Sequence, residues 1–65
     1  QRRERLLKRI QALAEDERDL IHLRYVAELS FAEIARTLQK NEEAVKKTLY
    51  RLLARLKQEL EADHE

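Results

Sequence analysis

The 65-residue sequence contains no glycine, proline, cysteine, methionine or tryptophan. At average usage of roughly 7% Gly and 5% Pro, about eight residues of a chain this long would be one or the other. Without Gly no residue takes positive φ freely, and without Pro none pre-sets a turn, so hairpin-rich β folds and nucleotide-cradling glycine loops are disfavoured together. The lack of Cys removes disulfides, a thiol redox centre and thiolate zinc sites. His22 and His64 stand too far apart, in contexts too different, to form a metal pair. No apolar run approaches the length of a membrane span and no signal-peptide pattern opens the chain, so a soluble cytoplasmic domain without membrane contact is expected.

What is present is charge and aliphatic carbon. Charged residues make up 42% of the chain and aromatics 5%, a composition typical of helical bundles. A chain this short buries only about 60% of its unfolded surface, which leaves room for one small core and none for a deep substrate cavity. Neither an enzyme nor a small-molecule substrate is expected, and no cofactor or metal. Glu15, Asp16, Glu17 and Asp19 cluster where a helix start explains them without acid-base chemistry. No Ser-His-Asp arrangement or phosphate loop is present. The start at Gln1 rather than Met, followed by Arg2 and Arg3, reads as one domain, 1–65, cut from a longer chain, with 62–65 as a frayed acidic tail.

The net charge of +1 is unevenly spread: residues 1–38 carry +1, 39–57 carry +4 and 58–65 carry −4. Screening confines charge effects to roughly 10 Å at ordinary salt, so the middle block can attract a polyanion although the whole is nearly neutral. A merely solvated helix face is the plainer explanation of charge alone.

Periodicity predicts four helices. Leu6, Leu7, Ile10, Leu13 and Ala14 form one apolar face of a helix from about 2 to 14. Asp16 is the expected N-cap of the next, with Asp19 at N3 and an apolar face of Leu20, Ile21, Leu23 and Val26 reaching about residue 27. Ser30-Phe31-Ala32-Glu33 fits a capping box, so a third helix starts at Phe31, with Ile34, Ala35 and Leu38 inward and Leu29 stapled on Ile34. After Gln39-Lys40-Asn41, Asn41 caps a long helix ending near 61, whose buried stripe reads Val45, Leu49, Leu52, Leu53, Leu56 and Leu60. Tyr25 and Phe31 are expected to pack, and His22 to lie on the second helix without a site role.

A short third helix, a three-residue break and a longer fourth helix make a helix-turn-helix, the fourth being the reading helix. At about 100° per residue, positions 42, 43, 46, 47 and 50 share the face opposite the leucine stripe. The runs Glu17-Arg18-Asp19-Leu20-Ile21-His22-Leu23-Arg24-Tyr25-Val26 and Leu29-Ser30-Phe31-Ala32-Glu33-Ile34-Ala35-Arg36-Thr37-Leu38, with Glu42, Val45-Lys46, Leu49 and Arg51 after them, carry a resemblance. Over roughly residues 5–60 the chain resembles region 4 of bacterial sigma factors, most nearly the extracytoplasmic-function group.

The resemblance implies an all-α, four-helix module of the winged-helix-like superfamily without a wing. It implies recognition of the minus-35 element of promoter DNA in the major groove, docking on the β flap of RNA polymerase core, and occlusion by an anti-sigma factor. Carried over by position, Glu42, Glu43, Lys46, Lys47 and Arg51 would meet DNA, with Arg36 and Thr37 near the phosphate backbone. The chain departs from the family pattern where Gln39 and Lys40 replace a turn glycine and an apolar residue, where Glu43-Ala44 replaces Gly-Thr, and where Thr48 replaces Arg. Glu43 finds its expected partner in Lys47, four residues on. A protein-interaction module of the same fold, engaging the flap or an anti-sigma factor with weak DNA binding of its own, is the alternative. The missing turn glycine predicts either a left-handed Gln39 or a remodelled turn with Asn41 taking the strain.

Overall fold

The computed structural model describes residues 2–62. Four α-helices follow one another: α1 (Arg2–Gln11), α2 (Glu15–Ile21), α3 (Phe31–Leu38) and α4 (Glu42–Ala62). Between α2 and α3 the chain widens into a π-helical segment, His22–Val26. The all-α helix-turn-helix expectation therefore holds. Ala62 still belongs to α4, while 63–65, the rest of the expected frayed tail, and His64 lie outside the described residues.

The core is small and divided. Leu20, Ile34, Ala35, Val45 and Leu49 join α2, α3 and α4 in one cluster, against which Leu29, Phe31 and Leu38 pack. Leu13, Leu52 and Leu56 form a second cluster, flanked by Ile10 and Ile21. Ile34 and Leu49 are fully enclosed. Most of the predicted α4 stripe is thus buried, with Leu53 and Leu60 half-buried.

The first half of the chain corrects the periodic reading. α1 stops at Gln11, because the Leu13 amide closes a tighter bond to the Ile10 carbonyl (3.1 Å) and turns Leu13 into the core. Leu6 and Leu7, expected inside, are 36% and 51% exposed, and Ala14 is exposed as well. The N-cap of α2 is Ala14 in extended geometry, not Asp16. Glu17, at N3, reaches back to accept from the Ala14 amide at 3.2 Å, which leaves Asp16 in the first turn, where its charge suits the helix dipole.

The π segment is the second correction. Its widened bonds include Ala27 N–H to the His22 carbonyl (3.0 Å) and Leu29 N–H to the Leu23 carbonyl (3.0 Å), with Glu28 between them at φ 59°. A wider turn takes up an extra residue, so positions counted at 3.6 per turn slip off the core face. Val26 is accordingly 67% exposed and Tyr25 52%, and Leu29 packs in their place.

Gln39 settles the turn: it lies in the left-handed region at φ 57°, ψ 49°. Its amide donates to the Arg36 carbonyl (3.2 Å) and the Lys40 amide to the Ala35 carbonyl (2.8 Å), which is the Schellman closure that normally selects glycine. A left-handed non-glycine residue costs about 1–2 kcal/mol, part of which a glycine would give back as unfolded-state entropy. Gln39→Gly is therefore expected to raise the melting temperature by roughly 2–8 °C in thermal circular dichroism. An unchanged or lower midpoint would contradict this.

Two carboxylates tie local structure to pH. Arg55 Nη2 donates to Glu17 Oε1 at 3.1 Å, bridging α4 to α2, and this bond, with the Ala14 amide, holds the Glu17 carboxyl below its ordinary value of 4.5. The backbone amide of Ser30 and then its hydroxyl lower Glu33 in the same way. A carboxyl whose pKa is lower in the folded state adds stability above its unfolded value and loses it as pH falls through the folded one. Melting midpoints should thus decline as pH drops below about 4.5, and less steeply in Glu17→Gln. Equal slopes in the two proteins would count against the Arg55 bridge.

Candidate nucleic-acid interface

The candidate interface rests on two caps and one turn. At the start of α3 the Ser30 hydroxyl accepts from the Glu33 amide (3.1 Å), and the Glu33 carboxylate accepts from the Ser30 amide (2.8 Å). At the start of α4 the Asn41 side-chain oxygen accepts from the amides of Glu43 (2.8 Å) and Ala44 (3.3 Å). The Schellman turn between them sets the angle at which α4 leaves α3. Ala35 and Ile34 of α3 meet Val45 and Leu49 of α4 at the crossing, so the small and apolar residues fall where a helix-turn-helix needs them.

With Val45, Leu49, Leu52 and Leu56 turned inward, the outer face of α4 carries Glu43, Lys47, Tyr50 and Arg51, all exposed, with a half-buried Lys46 at its edge. Glu42, expected on this face, is exposed at the helix start but stands seven residues before Leu49 and so in line with the buried stripe. The outer face brings together four of the seven sequence-derived positions, Glu43, Lys46, Lys47 and Arg51. Arg36 and Thr37 are exposed on the last turn of α3, and the Thr37 hydroxyl donates to the Glu33 carbonyl at 2.9 Å. The partner of Glu43 is Lys46 (3.8 Å), three residues away, rather than the expected Lys47. An exposed pair of this kind contributes about 0–1 kcal/mol, so a phosphate can replace Glu43 at little cost.

Three further residues organise the face. Phe31, at the head of α3, meets Tyr50 of α4 edge to face, with ring centroids 6.0 Å apart at 74°. The Arg24 guanidinium lies 4.3 Å from the Phe31 centroid, and Lys46 Nζ lies 5.8 Å from it. Arg24 also donates from Nη1 to the Leu29 carbonyl at 2.9 Å. Tyr50 was legible as sharing the reading face, but its contact with Phe31 crosses two helices and leaves no trace in spacing. Arg24 depends on the π segment, which no periodicity announces.

On another side of the molecule, α1 and the distal half of α4 flank an open groove of about 550 Å³. Leu6, Leu53, Leu56 and Leu60 supply its apolar lining, and Arg2, Arg5 and Lys57 rim it with Glu61. Among the described residues, no group of His, Cys, Asp and Glu could hold a metal ion, and no helix is long and apolar enough to cross a membrane.

Capped α3, a left-handed turn and an outward-facing α4 define a helix-turn-helix of the DNA-binding class. A family model described as Sigma-70, region 4 matches residues 3–56. The chain belongs to that family, whose members are DNA-binding, polymerase-docking transcription domains rather than catalysts. No curated protein and no solved structure gave a match to the chain.

Proposed function

We propose that α4 reads the minus-35 element of a promoter from the major groove, as part of the initiation machinery. The observation that carries this reading is the outward arc of α4 on which Glu43, Lys47, Tyr50 and Arg51 stand away from the buried leucines, with half-buried Lys46 at its edge. Lys46 and Lys47 can donate to guanine edges or phosphates, and a glutamate can accept from cytosine N4. Arg36 and Thr37, exposed on the last turn of α3, would follow the phosphate backbone, Thr37 once its hydroxyl rotates from the Glu33 carbonyl. Promoter and polymerase place such a module in the cytoplasm.

The test is a salt titration on promoter-like and scrambled duplexes. Preference for one sequence is expected, with log K falling against log salt by roughly 0.9 for each phosphate contacted. Equal binding to both duplexes contradicts sequence recognition.

One observation favours a second reading beside the first. The apolar groove between α1 and α4 is open and partly exposed at Leu6, while the leading end of α4 carries two acids. A module of the same fold that mainly docks a partner helix, from the polymerase β flap or an anti-sigma factor, would use that groove and bind DNA weakly alone. Capture of polymerase should then survive Lys46→Ala with Lys47→Ala and fail with Leu53→Glu. Loss with the lysine pair, or survival of Leu53→Glu, contradicts it.

A further inference from the structure

The reading face of α4 is tied to the segment before α3 by one half-buried side chain, that of Arg24. Arg24 leaves the π segment, donates to the Leu29 carbonyl at 2.9 Å and covers the Phe31 ring at 4.3 Å. Phe31 in turn presents its ring to Tyr50 at 6.0 Å and 74°, and Tyr50 is 58% exposed on the same face as Lys46 and Lys47. One guanidinium thus spans the link between α2 and α3, the first residue of α3 and, through a ring, the middle of the reading helix.

We propose that Arg24 is a positioning residue for DNA recognition: it fixes the Phe31 ring, and through it the placement of Tyr50 on the reading face. The geometry selects arginine for this task. A guanidinium donates in its own plane while its flat face stacks on an aromatic ring, so both contacts form at once. An ammonium is a point charge on a flexible stem and cannot reproduce the pair. The left-handed Glu28 and the π widening have a consequence here, because they bring the Leu29 carbonyl and the Phe31 ring under a residue of the preceding segment. The contact to Lys46, 5.8 Å from the same ring, makes Phe31 the common support of a cation and an aromatic on one face.

The inference rests on the DNA reading given above, and its test separates the two. Arg24→Lys keeps the charge, so any long-range attraction to phosphate is conserved and only the dual contact is lost. Three readouts are compared with the parent chain: Tyr50 ring-proton shifts by NMR, the affinity ratio of promoter-like to scrambled duplex, and the salt slope on the scrambled duplex. The expected result is a folded protein by circular dichroism whose Tyr50 signals lose the displacement caused by Phe31. Its duplex ratio should fall about twofold to fivefold, the scale of one exposed cation–π contact, with the salt slope unchanged. Phe31→Leu should lower the ratio in the same way, and the double variant should be no worse than Phe31→Leu.

Unchanged Tyr50 shifts with an unchanged ratio would overturn the proposal. So would a salt slope smaller by about 0.9 with both duplexes weakened equally, which would make Arg24 a phosphate contact instead. If the parent chain itself prefers neither duplex, the DNA reading fails. The Tyr50 shifts then decide the positioning claim alone: their loss in Arg24→Lys upholds it and their retention overturns it.

Discussion

Leu49→Ala is expected to leave the domain largely unfolded at physiological temperature. Leu49 has no exposed surface and sits where α2, α3 and α4 meet, beside Ile34 and Val45. Truncating an enclosed leucine costs about 2–5 kcal/mol, from lost transfer energy and from the cavity left behind. A single core in a chain below about 70 residues rarely supplies more than about 3–5 kcal/mol in total. The loss is therefore comparable to the whole stability. Leu7→Ala is the matching control: Leu7 is 51% exposed, and a substitution there should stay within about 0.5 kcal/mol. Urea denaturation of the two variants compares them directly, and equal midpoints would contradict the assignment of the core.

The second large effect concerns binding. Lys46→Ala with Lys47→Ala removes the two adjacent cations of the outer α4 face while leaving Val45 and Leu49 in place. The salt slope should fall by roughly 0.9 for each lysine that meets a phosphate. Where either lysine donates to a guanine, about 1–3 kcal/mol of preference for the promoter-like duplex should go with it. Melting should barely change, because the Lys46–Glu43 pair is exposed and contributes little. Unaltered slope and preference in the double variant would remove α4 from the interface.

The parts of this fold that could be read from residue order are those governed by local chemistry. Ser30 with Glu33 and Asn41 before two acids each act within one turn, the stripe of Val45, Leu49, Leu52 and Leu56 follows the helical period, and each is found as expected. Gln39 was narrowed to two conformations, because a turn of this shape needs one left-handed residue and no glycine was available. The discrepancies arise where a register depends on tertiary packing. Leu6 and Leu7 have the right spacing for a core face, yet α1 leans chiefly on α4, and about half of Leu7 remains in solvent. Tyr25 and Val26 fit a continuous α2 pattern that the π widening breaks. Ala14 caps α2 through its backbone alone, and no side-chain preference marks it.

The interface divides the same way. Spacing places Lys46, Lys47 and Arg51 on one face, because helical periodicity is enough to do so. The Arg24–Phe31–Tyr50 contacts join residues from three segments, which spacing along the chain does not bring together.

The claim that this face of α4 meets DNA is tested most directly by NMR titration with a promoter-like duplex, following every backbone amide. Perturbations should concentrate at residues 36–37, 42–43, 46–47 and 50–51, with residues 2–6 and 56–61 unchanged. Perturbations centred instead on the groove between α1 and the distal half of α4, with the outer face of α4 silent, would contradict it.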